Sequence, residues 1–210
     1  MSERLGLDIF YPIVPDVGWL ARIAPLGVRC VQLRLKDASP KEVRRQISAS
    51  VEITREQCCQ LIVNDYWAEA IDIGADYIHL GQEDLAEADL AAIKKAGVRL
   101  GISTHDKSEL DIALAAEPDY IALGPIYETK LKKMMWEPQG LERVTDWKSR
   151  IGRRRLVAIG GITPVLAADV LAAGADSVSV ITDFLTHPDP EERIREWLVL
   201  IDGLRGRVFS

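Results

Sequence analysis

Short apolar runs alternate with amphipathic stretches along the whole chain. Runs at 7–13, 28–35, 61–63, 76–81, 98–103, 119–124, 156–160 and 176–181 have the length and β-branched content of strands. Between them lie helical patterns at 17–25, 39–57, 67–74, 86–96, 107–116, 141–148 and 163–174, with a last one at 190–204. Their punctuation is local. Ser39, Pro40 and Glu42 make a helix start, with a hydroxyl cap, a proline in the first turn and an acid three residues on. Gly74, Gly97 and Gly174 mark helix ends. Eight strands alternating with eight helices predict an α/β protein, a single-domain (β/α)8 TIM barrel spanning 1–210. An open doubly wound sheet is the rival, and it fits less well. Eight units close naturally, and no Gly-x-Gly-x-x-Gly follows the first strand.

A barrel places its chemistry at the C-terminal ends of the strands. The second strand delivers Gln32, Arg34 and Lys36, with Gln32 and Arg34 on one face and Val31, Leu33 and Leu35 on the other. The third ends in Asn64 and Asp65, the fourth runs to Asp84, and the fifth ends in Ser103, Thr104 and His105. The third and fourth strands are joined by a crossover, so their ends are neighbours about 4.8 Å apart if the strands pair. Asp65 and Asp84 then face one small volume. Two carboxylates there can share a hard divalent cation such as Mg²⁺, which completes its shell with substrate phosphates. Each Asp can equally cap the helix that follows it. On these residues alone capping is the slightly better reading; the rest of the chain changes that.

The long loop 125–139 carries Thr129, Lys130, Lys132 and Lys133. Beyond it stand Gly160 and Gly161 after the seventh strand, and Ile181 and Thr182 after the eighth. Paired glycines before a helix let backbone N–H groups approach an anion, and the loops after strands seven and eight of a barrel often hold phosphate. A tight turn that needs glycine for geometry alone is the plainer reading; the position favours phosphate. His79, inside a strand, reads as a satisfied barrel histidine rather than a catalyst. His105 can donate to a ligand or cap the next helix. Met134, Met135 and Trp136 form an apolar cluster that is either a lid or a loop folded back on the barrel. Trp147 and Trp197 sit in helical patterns and read as packing.

Charge narrows the classes of ligand. The net charge of −6 is at odds with a nucleic-acid footprint or a membrane-surface patch, so an anionic ligand must be held by local groups. No apolar run approaches the roughly 20 residues of a membrane span, and the N-terminus has no signal-peptide core. Cys30, Cys58 and Cys59 fit neither a disulfide framework nor a zinc spacing, which points to the reducing cytoplasm.

Taken in order, Gln32-Leu-Arg-Leu-Lys-Asp37, Val63-Asn-Asp65, His79-Leu-Gly-Gln-Glu-Asp84, Gly101-Ile-Ser-Thr-His105, Gly124-Pro125, Gln139-Gly140 and Ala158-Ile-Gly-Gly-Ile162 resemble the thiamine phosphate synthase family over essentially the whole chain. That resemblance implies a transferase joining a pyrimidine methyl pyrophosphate to a thiazole phosphate, with release of pyrophosphate. It implies Mg²⁺ on Asp65 and Asp84. Arg34, Lys36, Asn64 and Lys132 would contact the pyrophosphate, and Gln32 and Ser103 would place the pyrimidine. Gly160, Gly161, Ile181 and Thr182 would bind the thiazole phosphate, and Thr129 would lie near the join. Lys132, Ser103 and Thr129 are then the candidate catalytic residues.

Three departures from the family pattern stand out. Glu128 replaces a proline and Leu131 a hydroxyl in the loop motif, and Thr182-Asp183 stands where Ser-Ala is usual. Asp183 beside a phosphate would repel it unless turned outward. Two other functions share the barrel: a thiazole tautomerase, which needs no pyrophosphate arm, and a non-catalytic binding protein for thiamine precursors. The joint presence of Arg34, Lys36, Asn64, Asp65, Asp84 and Lys132 argues against the tautomerase.

Overall fold

The computed structural model describes residues 5–129 and 136–208. Eight parallel strands close into a barrel in chain order. They are β1 (Phe10–Val14), β2 (Cys30–Leu33), β3 (Gln60–Asn64), β4 (Tyr77–Leu80), β5 (Arg99–Thr104), β6 (Tyr120–Leu123), β7 (Arg155–Ile159) and β8 (Ser177–Val180). Closure comes from β1 pairing with β8, with Tyr11 opposite Ser179. The helices on the outside are α1 (Val17–Ile23), α2 (Pro40–Glu56), α3 (Trp67–Ile73), α4 (Gln82–Glu87), α5 (Leu90–Ala96), α6 (Lys107–Ala115), α7 (Gly140–Ile151), α8 (Pro164–Ala172), α9 (Thr182–Leu185) and α10 (Pro190–Val208).

The strand period of two sorts side chains into two cores. Outward residues such as Val31, Leu33, Ile78, Leu80, Ile121 and Leu123 pack with the helices into one continuous cluster. Phe10 stacks on Trp197 of α10 at 5.1 Å, and Trp147 of α7 donates its indole N–H to Thr104 at 2.9 Å. Both tryptophans are fully buried, as their helical spacing predicts. Inward residues Tyr11, Cys30, Ile62, Tyr77, Tyr120, Ala122 and Val157 form a second, smaller cluster that plugs the lower barrel with Leu7. Gly101 is part of that plug. A Cβ there would lie 2.0 Å from the Tyr120 ring, so the glycine makes room for the tyrosine.

Local punctuation behaves largely as the sequence predicts. Ser39 accepts from the Glu42 N–H at 3.4 Å and Pro40 occupies the first turn of α2. The reciprocal half of the capping box is missing, because the Glu42 carboxylate bonds Arg45 and Gln46 instead. Two expectations are corrected. The helix predicted at 86–96 is two helices, α4 and α5, and α4 begins earlier, at Gln82. The break is at Asp89, whose side chain accepts from the Ala92 N–H at 2.9 Å and starts a new helix. The eighth strand, expected to run to Ile181, ends at Val180, and Thr182–Leu185 form the short helix α9.

Candidate active site

At the C-terminal mouth of the barrel is a cavity of about 670 Å³. Gln32 and Arg34 line it from β2, Asn64 from β3 and Ser103 from β5. Thr129, Gly160, Gly161, Ile181 and Thr182 line the other side. These nine residues, singled out from strand ends in sequence, therefore share one volume. Lys36, Asp65 and Asp84 are not in its wall but stand at its β2–β4 rim. Lys132, with Lys130, Leu131, Lys133, Met134 and Met135, lies outside the described residues.

Asp65 and Asp84 are in contact. Asp65 is held at the end of β3 in a left-handed conformation, φ 66°, with its N–H donating to the His79 carbonyl at 2.9 Å. Asp84 reaches it from the first turn of α4 across Gly81, where a Cβ would stand 3.2 Å from an Asp84 carboxylate oxygen. Burial, then the charge of Asp84 and its hydrogen bond, push the Asp65 carboxyl up to about 6, against the opposing pull of Lys36 and Arg34. Neither Asp accepts the N-terminal N–H of a following helix through its side chain: α3 and α4 have no side-chain cap. The capping reading therefore fails for both. Among the described residues no cluster of three metal-ligating side chains exists, so any cation here would have two carboxylates and would draw its other ligands from elsewhere.

The opposite rim is backbone. Gly160 and Gly161 have φ of 101° and 68°, where side chains are strained. A Cβ on Gly160 would sit 2.7 Å from Cα of Pro125, and one on Gly161 2.5 Å from the Glu128 carbonyl oxygen. Geometry alone thus requires both glycines, as the plainer reading had it. What crowds them is the loop after β6. Its first foot is stitched to β7 by Ile126 N–H to Ile159 O, 2.9 Å, and Tyr127 N–H to Gly160 O, 3.0 Å. Its second foot returns onto the first, with the Gln139 and Gly140 N–H groups donating to Pro125 and Ile126 at 2.8 and 3.0 Å.

Asp183 lines the cavity with Thr182, but its carboxylate is already engaged. Arg193 of α10 donates to both its carboxylate oxygens at 2.8 and 2.9 Å, and the Trp197 indole N–H adds a third bond at 2.7 Å. Its charge is balanced by Arg193 although the residue borders the cavity. His105 bonds Glu109 at 2.8 Å and stacks on Trp136, while the cap of α6 is Asp106. His79, read as a barrel histidine, is one. The sequence did not disclose its partners, the Tyr120 hydroxyl at 2.7 Å and Ser103 Oγ at 2.8 Å. Tyr11, Tyr120 and Gln82 also support the site and were not singled out; Gln82 holds the Ser103 carbonyl at 2.6 Å. The one available signal was the echo of Asp76-Tyr-Ile-His-Leu-Gly81 in Asp119-Tyr-Ile-Ala-Leu-Gly124, which puts Tyr77 and Tyr120 at the same inward register.

Residues 11–184 match the profile of the family described as thiamine monophosphate synthase. The chain belongs to that family. A thiamine-phosphate synthase of Rhizobium etli is 57% identical over 92% of this chain and 95% of its own length. One from Citrobacter koseri is 45% identical over 94% and 92%. Among solved structures, thiamine phosphate pyrophosphorylase from Pyrococcus furiosus superposes with a TM-score of 0.81 at 24% identity, covering 94% of this chain and 96% of that one, which supports the shared barrel. Membership of the thiamine monophosphate synthase family makes the protein a transferase of thiamine biosynthesis. Among the described residues no helix is long and apolar enough to cross a membrane.

Proposed function

We propose that the chain condenses 4-amino-2-methyl-5-hydroxymethylpyrimidine pyrophosphate with hydroxyethylthiazole phosphate, giving thiamine phosphate and pyrophosphate in an Mg²⁺-dependent reaction. The observation that carries this reading is the division of the cavity mouth. In a closed eight-strand barrel β3 and β4 stand opposite β7 and β8. The acidic pair with Arg34 and Lys36 is on one side, and the glycine rim with the start of α9 is on the other. Two phosphorylated substrates held there would meet over the barrel axis, which is the proximity a condensation needs.

The Asp65–Asp84 pair fits Mg²⁺ by its chemistry: two hard oxygen donors in contact, with the Asp65 carboxyl raised by burial and then by the charge of Asp84. When bound, the cation would supply charge for the departing pyrophosphate. Arg34, Lys36, Asn64 and Lys132 would bind the same leaving group and stabilise the charge it develops. Gln32 and Ser103 would orient the pyrimidine, whose amino group stabilises a cation at the methylene carbon. Gly160, Gly161, Ile181 and Thr182 would anchor the thiazole phosphate, with Thr129 near the new bond. The first N–H groups of α9 have no acceptor within their own helix. No protein nucleophile is needed. The free thiols Cys30, Cys58 and Cys59 are compatible with a cytoplasmic setting.

The test is formation of thiamine phosphate from the two substrates, with and without Mg²⁺. Product with released pyrophosphate, lost on chelation, is expected. Absence of product would move the assignment to a thiazole tautomerase or a precursor-binding protein.

A further inference from the structure

A file of polar groups runs through the barrel centre and connects the two residues assigned above to the pyrimidine. Gln32 Nε2 donates to the Tyr11 hydroxyl at 2.6 Å. The Tyr11 and Tyr120 hydroxyls are 2.9 Å apart. Tyr120 meets His79 Nδ1 at 2.7 Å, and His79 Nε2 meets Ser103 Oγ at 2.8 Å. Gln32, Tyr11, Tyr120 and His79 are all buried, and the Tyr120 ring stacks on the His79 ring at 5.5 Å. Each ring nitrogen of His79 has a hydroxyl as its partner, so no carboxylate is hydrogen-bonded to the ring to hold a second proton on it.

The protons in this file are not independent. Each hydroxyl has one proton, and a neutral imidazole has one N–H. Since Gln32 donates into Tyr11, the Tyr11 proton must serve the link to Tyr120. The Tyr120 proton must then serve His79 Nδ1. The imidazole proton is thereby placed on Nε2, where it donates to Ser103 Oγ. Three groups are left unspent by the file: the Gln32 carbonyl oxygen, the second Gln32 amide proton and the Ser103 hydroxyl proton, so the Gln32 oxygen is the acceptor among them and the Ser103 hydroxyl a donor.

We propose that Tyr11, Tyr120 and His79 are positioning residues that fix Gln32 as an acceptor and Ser103 as a donor, so that the cavity selects a ring bearing an amino group and an unprotonated ring nitrogen over its oxo counterpart. The substrate class is an aminopyrimidine, so the proposal deepens the reading above and rests on it. An oxo-pyrimidine turns an oxygen to Gln32 where the amine would donate. To present its amide nitrogen in the place of its oxygen, Gln32 has to flip, and the file then reverses, with the imidazole proton moved to Nδ1. That is a concerted change of every link rather than the rotation of one side chain.

Two experiments on the full chain test this. Nitrogen NMR of the histidine rings, of which the chain has three, reads the tautomer without turnover. Nε2–H at His79 is expected; Nδ1–H would overturn the assigned direction. Next, Tyr120→Phe keeps the ring and cuts the file. The preference in kcat/KM for the 4-amino over the 4-oxo pyrimidine pyrophosphate should fall about ten- to hundredfold, as expected for losing a directed bond. KM for the thiazole phosphate should hold. A proportional loss with both pyrimidines, leaving the ratio unchanged, would reduce the file to a structural element. Should Tyr120→Phe fail to fold, Tyr11→Phe makes the same prediction from the Gln32 end. A chain inactive with both pyrimidines but carrying Nε2–H would sink the proposed reaction and leave the file's direction standing. An active chain carrying Nδ1–H would do the reverse.

Discussion

The indole of Trp136 lies flat on the imidazole of His105, 5.3 Å between centroids and 6° from parallel. His105 is itself held by Glu109 through both its ring and its backbone N–H, so the stack joins the end of the β6 loop to a fixed point just past β5. Trp136→Ala removes the larger face. A stacked pair contributes about 0.5–1.5 kcal/mol. Turnover should fall by up to about tenfold and the melting temperature by no more than about 2–4 °C per kcal/mol lost, as steady-state kinetics beside a thermal scan would report.

Asp65 and Asp84 oppose one another when no cation is bound. A carboxyl raised to about 6 in the folded state, above its unfolded value, favours folding at low pH and loses that contribution as pH rises through 6. Asp84→Asn should therefore stabilise the cation-free protein at pH 7.5, on the order of 1 kcal/mol after allowance for solvent screening. At pH 4 it should change nothing. The same variant, like Asp65→Ala, should lose Mg²⁺-dependent turnover. Urea unfolding at the two pH values checks the first point, and unchanged Mg²⁺ dependence in either variant would remove the metal assignment.

His79 acts in the opposite sense. Burial, with a smaller contribution from Arg34, depresses its folded pKa to about 3. The unfolded chain then takes up a proton that the folded chain refuses below about pH 6.5, so stability is intact above that pH and declines as pH falls toward 3. The slope approaches about 1.4 kcal/mol per pH unit for one proton. His79→Gln should flatten it, and parallel denaturation curves at pH 7 and pH 5 for wild type and variant would expose the difference or its absence.

Arg193 neutralises Asp183, whose side chain is only 8% exposed. Arg193→Ala leaves a nearly buried carboxylate with the Trp197 indole as its remaining donor among the bonds described above. Breaking such a pair costs about 3–5 kcal/mol. The expected result is a large fall in melting temperature and, in the folded fraction, a higher KM for the thiazole phosphate. Arg193→Ala with Asp183→Ala should recover much of the loss; no recovery would place the cost in packing instead.

The barrel was legible because its signals are local. Period-two runs, helix-ending glycines and the Ser39–Pro40 start each declare themselves within a few residues. The rim was legible for a related reason: once the strands are placed, parity dictates that Gln32 and Arg34 share a face. Asp89 shows where this fails, since a capping side chain inside a helical pattern reads as one more polar residue. The polar file was out of reach. Tyr11 and Tyr120 meet across 109 positions of sequence, and their contact depends on the space left by Gly101. Asp183 looked like a defect because its neutralising partner is in another helix, where spacing does not reveal it.

The two feet of the β6 loop are bonded to each other and to β7, so the stretch between Tyr127 and Gln139 hangs from a closed ring of main-chain hydrogen bonds. Glu128 and Leu131, two of the departures from the family pattern, fall inside this stretch. The segment is in effect a cassette: the four main-chain bonds that anchor it all come from its feet.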